Sequence, residues 1–370
     1  MPTNTVELGA TSLTITWSRS KTSKFHYLWL RDNAPELRHP TTQHRLVETS
    51  TIPKDVRPAS ACLNDVGDLE VTWATDRAIS VFSAQWLHAH DYSNGARNQR
   101  PQSVTWTADM ASEIPRATHD DIVSDPAKRV EFLDGFFAYG LAFLEHVSSV
   151  PGTVALVAQD LGEMRITSWG AVFDVVSVAD ANSVAYTNLP LVVHTDEGYR
   201  NPVPTVQLQH FLVNDAQGGE ATLTDGFRVA NDLRDIDPEA FSLLASTDLR
   251  FHIADATTDH TGVGSIIETN GLGDVIAIRY SNHSATPFLL DFDELTRFYN
   301  AYQLFGAMRE DPKYRLQIRM PAGSMYIVDN RRVMHGRTGF TSGGNRHLQS
   351  CYIERDELAS RLAVLKRPFL

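Results

Sequence analysis

Ser324-Met-Tyr-Ile-Val-Asp-Asn-Arg-Arg-Val-Met-His-Gly-Arg-Thr338, followed a few residues on by Arg346-His-Leu-Gln-Ser-Cys-Tyr352, is where the architecture of this chain is most readable. Residues 324–328 are a short apolar run ended by turn-forming Asp329-Asn330, the pattern of a buried strand. Residues 346–352 read as the next strand. Two adjacent antiparallel strands would hold the His335 imidazole and the Arg346 guanidinium, eleven residues apart, facing one cavity. Further strands are read at 205–212, 221–224 and 275–280, with helical periodicity at roughly 228–245 and 291–308. Strands in series with helices set aside predict a mainly β fold with flanking helices, built on an antiparallel core and not on a doubly wound sheet.

Upstream, the pattern predicts a helix over 126–139 ended by Gly140, a strand over 141–147 and a helix near 154–161. The first hundred residues alternate apolar and polar at period two over 13–17, 45–49, 69–73 and 79–82, separated by turn residues, and so predict a small β domain over 1–95. Ser93-Asn-Gly95, Asn98-Gln-Arg-Pro-Gln102 and Pro115 suggest a linker over 96–118, leaving 119–370 as the larger domain. A chain of 370 residues accommodates two cores.

Composition narrows the function. The longest apolar stretches are shorter than a membrane span, and Met1-Pro-Thr-Asn-Thr5 is not a basic segment leading into an apolar one, so the expectation is a cytoplasmic protein with no membrane partner. With only Cys62 and Cys351, neither a disulfide framework nor a cysteine-rich metal site can be built within one chain. A net charge of −12 argues against a nucleic-acid surface.

His194-Thr195-Asp196 carries the chemistry. On or just after a strand, the first and third side chains fall on one side and can reach one ion. Two imidazoles and a carboxylate on one face of an octahedron leave three positions open, the arrangement of iron(II) oxygenases, which requires a distant second histidine. His335 supplies one, and Arg346 offers a planar fork able to grip the carboxylate of a 2-oxo-dicarboxylate.

Several motifs, in one order along the chain, resemble the γ-butyrobetaine hydroxylase group of iron(II)/2-oxoglutarate dioxygenases, related to the taurine dioxygenase type. They are His26-Tyr-Leu-Trp-Leu-Arg-Asp-Asn33, Val184-Ala-Tyr-Thr187, His194-Thr-Asp196, Val206-Gln-Leu-Gln-His210, Gly218-Gly-Glu-Ala-Thr-Leu-Thr-Asp-Gly-Phe227, His335-Gly-Arg337 and Arg346-His-Leu348. The resemblance implies a double-stranded β-helix (jelly roll) catalytic domain behind the small N-terminal β domain, usually as a homodimer. It implies iron(II) held by the catalytic residues His194, Asp196 and His335, with 2-oxoglutarate as cosubstrate bound by Arg346, Gln209 and Thr222. Oxygen (O2) would be consumed, giving succinate, carbon dioxide and a hydroxylated product.

The family receives a trimethylammonium head in an aromatic cage, and Trp169, Phe173, Tyr186 and Tyr352 match its positions, with Tyr199 a further candidate. Ring faces are the natural receptor for a cation without N–H groups; Trp169 and Phe173, four apart, also suit a core-facing helical pair. Two departures stand out. The stretch Asn33-Ala-Pro-Glu-Leu-Arg-His39 has no cysteine where the family binds zinc, so no structural zinc is expected. At the substrate's anionic end, Ser183 replaces an asparagine beside Asn182, Glu197 follows the metal-binding Asp, and Arg200, Asn201 and Arg331 lie near. Fewer amides and more guanidinium groups favour a phosphonate. In this the chain resembles the branch of the family that hydroxylates 2-(trimethylammonio)ethylphosphonate next to phosphorus, which the resemblance makes the first reading, with γ-butyrobetaine (carnitine formation) or trimethyllysine hydroxylation as the alternative. A taurine-type dioxygenase, or a non-catalytic betaine- or metal-binding protein, ranks below these. Ala221 stands where many relatives have a cosubstrate-contacting Thr or Ser, which is why Thr222 is the candidate for that role.

Overall fold

Period-two alternation in the first hundred residues becomes two three-stranded antiparallel sheets in the computed structural model, which describes residues 5–18, 21–93, 103–176, 186–341 and 344–367. The chain divides into two units, Met1–Pro101 and Gln102–Leu370. In the first, β1 (Thr5–Leu8), β2 (Ser12–Ser18) and β3 (Lys21–His26) form one sheet, and β4 (Pro58–Leu63), β5 (Leu69–Trp73) and β6 (Ile79–Phe82) the other. Leu13 and Ile15, with Leu69, Val71 and Trp73, alternate into one apolar core. The strand expected over 45–49 does not form. Arg45 makes a single bridge to Arg38, and the chain then enters a 3-10 turn at Thr49–Thr51. Polar side chains organise this region: Arg38 and Arg45 both donate to Asn33 Oδ1, and His39 Nδ1 accepts from the Thr41 and Thr42 amides.

In the second unit the stretch read as the end of a linker is part of the fold. Trp106 is 1% exposed, its amide donates to Asp225 Oδ2 and its indole to the Tyr139 carbonyl. β7 (Arg116–Thr118) then pairs in parallel with β8 (Leu141–Glu145). Pro115 and the polar residues around it resemble a linker in composition, but Trp106 and Ile114 are apolar anchors buried in the core, and they decide the outcome. The helix Pro126–Tyr139 starts on the Asp125 cap with proline at its first position and stops at Gly140, whose φ of +70° continues no right-handed helix.

The remaining strands are β9 (Met164–Arg165), β10 (Val172–Val176), β11 (Leu191–His194), β12 (Val206–Asn214), β13 (Ala221–Asp225), β14 (Leu249–Ala254), β15 (Asp259–Gly264), β16 (Ile267–Thr269), β17 (Val275–Ile278), β18 (Arg315–Ile318), β19 (Ser324–Asp329), β20 (Val333–Arg337) and β21 (Arg346–Ile353). One sheet runs β10-β21-β12-β19-β8-β7 with β9 on β21, and a second runs β11-β20-β13-β18. Phe143, Phe211, Leu223, Val328 and Leu348 share one core that draws on both sheets. The other face of the larger sheet packs on the helices Pro126–Tyr139, Thr153–Leu161 and Arg355–Lys366. That of the smaller packs on Gly226–Ile236, Pro238–Ser246 and Phe292–Glu310. The expected single helix over 228–245 is two, because Asp237 ends the first and caps the second, where Pro238 lacks the N–H needed to continue.

If residues 103–118 belong to this core, Trp106→Ala leaves a large cavity and lowers the unfolding free energy of the second unit by about 3–5 kcal/mol in urea titration. A shift under about 0.5 kcal/mol, as at an exposed linker site, would contradict that placement.

Candidate active site

β11 and β20 pair so that His194 lies opposite His335, their ring centroids 4.9 Å apart. Asp196, two residues past His194, turns back toward both: His194 Nε2 is 3.2 Å from Oδ1 and His335 Nε2 is 3.4 Å from Oδ2. One donor atom from each of the three lies within 4.8 Å of the others. Ligands bound about 2.1 Å from an octahedral ion sit about 3 Å apart, so the set fits a facial metal site with little movement. His194 Nδ1 donates to the Val192 carbonyl at 2.9 Å, leaving Nε2 with its lone pair toward the site.

The carboxylate is held from several sides. The Tyr352 hydroxyl donates to Asp196 Oδ2 at 2.6 Å, and Gln207 Nε2 donates to the same oxygen at 2.7 Å. Asn330 in the β19–β20 turn accepts from the Asp196 amide and donates to its carbonyl. Burial alone would raise the Asp196 carboxyl, but the His335 and His194 imidazoles outweigh it and hold the group well below the usual carboxylate range. Gly336 permits the strand spacing, since a Cβ there would stand 2.3 Å from the Leu191 carbonyl oxygen.

These residues open into a cavity of about 580 Å³. One end is aromatic. Trp169 meets Tyr186 edge-on at 6.0 Å, Phe173 stacks on Tyr352 at 5.6 Å, and Tyr199 and Glu197 complete the wall. Glu197, buried and at a φ of +52°, has its carboxyl pushed up to about 7 by burial and by Asp196, against the pull of Arg200, Arg165 and Trp169. The other end carries Gln209, Tyr326, Arg337 and Arg346. Burial, then the neighbouring Arg337, lowers Arg346 to about 10, and among the described residues no acid is paired with it. A sheltered guanidinium without a carboxylate partner is costly unless a ligand supplies the anion, which suits the 2-oxoglutarate carboxylate.

A family model described as "Taurine catabolism dioxygenase TauD, TfdA family" matches residues 103–352. The chain belongs to this family. Residues 5–88 match a second model, "Gamma-butyrobetaine hydroxylase-like, N-terminal". A "Gamma-butyrobetaine dioxygenase" from Pseudomonas sp. (strain AK-1) is 35% identical over 97% of this chain and 94% of its own length. A "Trimethyllysine dioxygenase" from Meyerozyma guilliermondii is 27% identical over 96% and 93%. The crystal structure of a candidate alpha-ketoglutarate-dependent taurine dioxygenase from Burkholderia xenovorans aligns with a TM-score of 0.50 at 14% identity, over 68% of this chain and 90% of that one, a likeness of fold. As a TauD, TfdA family member the protein is an iron(II)/2-oxoglutarate-dependent dioxygenase.

Within this TauD-type site, some expected residues converge and others do not. His194, Asp196, His335, Arg346, Gln209, Trp169, Phe173, Tyr186, Tyr199 and Tyr352 all line the cavity. Trp169 and Phe173 are no helical pair, since Trp169 sits in a turn and Phe173 in β10. Thr222 is buried but does not line the cavity: on β13 the alternation turns Ala221 and Leu223 to the core between the sheets, and Thr222 the other way. Arg200 also misses the cavity lining, with Nη1 bonded to His260 Nε2 and Ser168 Oγ. Asn201 is exposed, and Arg331 pairs with Glu268 at 3.3 Å. Asn182 and Ser183 lie outside the described residues. Sequence reading passed over Gln207 and Tyr326, which the period of two on β12 and β19 could have exposed, and His252, Ser281, His283 and Ser284, which no local pattern marks.

Tyr352→Phe keeps the ring and deletes the hydroxyl that orients Asp196. Iron(II) affinity is expected to fall about tenfold or more in anaerobic titration; unchanged affinity would show that Gln207 and Asn330 suffice.

Proposed function

We propose that this dioxygenase hydroxylates a small substrate with a trimethylammonium head and an anionic end, of the γ-butyrobetaine type first and the trimethyllysine type second. The observation that carries the reading is the convergence of Trp169, Phe173, Tyr186, Tyr199 and Tyr352 on one cavity beside the His-Asp-His cluster. Aromatic faces attract a quaternary cation, which cannot donate a hydrogen bond. The 35% identical relative named for γ-butyrobetaine supports the first type and the relative named for trimethyllysine the second. The guanidinium groups on which the phosphonate reading relied are not in the cavity lining: Arg331 pairs with Glu268, and Arg200 bonds to Ser168 and His260, with its Nε 4.0 Å from Glu197. The relatives therefore favour the carboxylate-bearing alternative.

In this reading the two sheets are a double-stranded β-helix, and His194, Asp196 and His335 hold iron(II). Arg346, with Gln209 beside it, receives a carboxylate of 2-oxoglutarate. The bound metal and cosubstrate supply the oxidative decarboxylation that is coupled to hydroxylation of an unactivated C–H. The protein's own part is to orient. Tyr352, Gln207 and Asn330 keep Asp196 in place, and the aromatic wall positions the cationic head.

Purified protein with iron(II), 2-oxoglutarate and γ-butyrobetaine, trimethyllysine, 2-(trimethylammonio)ethylphosphonate or taurine tests the assignment by succinate and hydroxylated product. Coupled product is expected with γ-butyrobetaine or trimethyllysine and not with taurine; none with any trimethylammonium compound would refute it. Arg346→Ala should raise the 2-oxoglutarate concentration needed by at least about tenfold, the loss of a charged hydrogen bond, with iron binding intact.

A further inference from the structure

Glu197 is a carboxylate in a wall otherwise made of rings, and nothing in the aromatic-cage reading uses it. The residue is 6% exposed and lines the cavity with Trp169, Tyr199 and Tyr352. Both side-chain oxygens are shielded from solvent, and neither is in a hydrogen bond. Arg200 forms a long ion pair with it, Nε 4.0 Å from Oε2, beyond hydrogen-bond distance, and its Nη1 is already committed to His260 and Ser168. Trp169 approaches without reaching hydrogen-bond geometry. Buried acceptors are almost always satisfied, and an unpartnered carboxylate on a cavity-lining residue points to a donor on the ligand, met once the side chain turns a shielded oxygen toward the cavity.

A trimethylammonium group cannot be that donor. Its methyl groups fill the rings' faces but leave both Glu197 oxygens without a hydrogen bond. A dimethylammonium group keeps the cationic charge and most of the apolar contact and adds one N–H. An acceptor lone pair is present on Glu197 whether or not the carboxyl is protonated. We infer that Glu197 makes this head-group site a receptor for ammonium groups that retain an N–H, so that tertiary dimethylammonium compounds are substrates alongside their trimethylammonium counterparts. The proposal rests on the reading of the aromatic wall as the head-group site.

The test compares γ-butyrobetaine with 4-(dimethylamino)butyrate, and trimethyllysine with dimethyllysine, in wild type, Glu197→Leu and Glu197→Gln. Kd by calorimetry under argon with iron(II) and 2-oxoglutarate, and kcat/KM from hydroxylated product, are both read. Wild type is expected to bind and turn over the dimethyl member of the accepted pair at least as well as the trimethyl member. Glu197→Leu, which removes the acceptor, should lower the dimethyl-to-trimethyl ratio about tenfold. Glu197→Gln, which keeps one acceptor oxygen and loses the charge, should lower it less and serves if the leucine variant does not fold. A wild-type preference for the trimethyl member of about tenfold or more, or a ratio unmoved in the folded variants, would overturn the role of Glu197 and leave the head-group site standing. Failure of all four compounds to bind wild type would instead overturn the head-group site itself, and this proposal with it.

Discussion

The register between β11 and β20 is the constraint on which the site depends. It sets His194 against His335, and only this pairing brings two imidazoles from positions far apart in sequence to one side of one sheet. A slip of one residue would turn each strand's side chains to the opposite face. Gly336, next to His335, keeps the strands close enough, since any side chain there would collide with the Leu191 carbonyl. Arg337, two residues past His335, inherits the same face and reaches the guanidinium end of the cavity.

The β19–β20 turn locks that register from behind. Asn330 clasps the Asp196 backbone on both sides and also donates to the Pro204 carbonyl. Two residues later, Arg332 forms a fully buried pair with Asp225 at 2.8 Å and donates to the carbonyls of Ala138 and Val104. A buried ion pair is weak evidence for added stability, but each of the three Arg332 side-chain nitrogens has a hydrogen-bond partner, and such a network favours one arrangement of the elements that meet in it. One turn thus joins the metal-site carboxylate, the end of β13 and the segment after residue 103, which explains why that segment belongs to the core.

Along the cavity the electrostatics change sign. Arg346 and Arg337 stand at one end, the His-Asp-His cluster lies between, and the ring-lined end carries Glu197. Under the proposed function, a dicarboxylate and a cationic substrate would be drawn to opposite sides of the same metal position. Sheltering from water strengthens both attractions relative to an exposed surface.

Local sequence was enough for elements whose pattern follows from their own residues: strands such as β5, β12 and β19, the Gly140 helix stop, and the His194, Asp196 and His335 cluster. It misled where composition and anchoring disagree. Residues 103–118 have a linker's polarity, yet Trp106 buries them, and residues 45–49 alternate like a strand but find no partner strand. The substrate-facing detail was beyond local pattern altogether. Whether Arg200 and Arg331 meet a ligand or Ser168, His260 and Glu268 depends on which loops come together. Thr222 and Ala221 exchange faces by a single step of the pleat. Sequence by itself determined the chemistry of the centre, because ligand types and strand period are local properties. The tertiary structure alone decided which charges remain open to a substrate, because that depends on partners far apart in the chain.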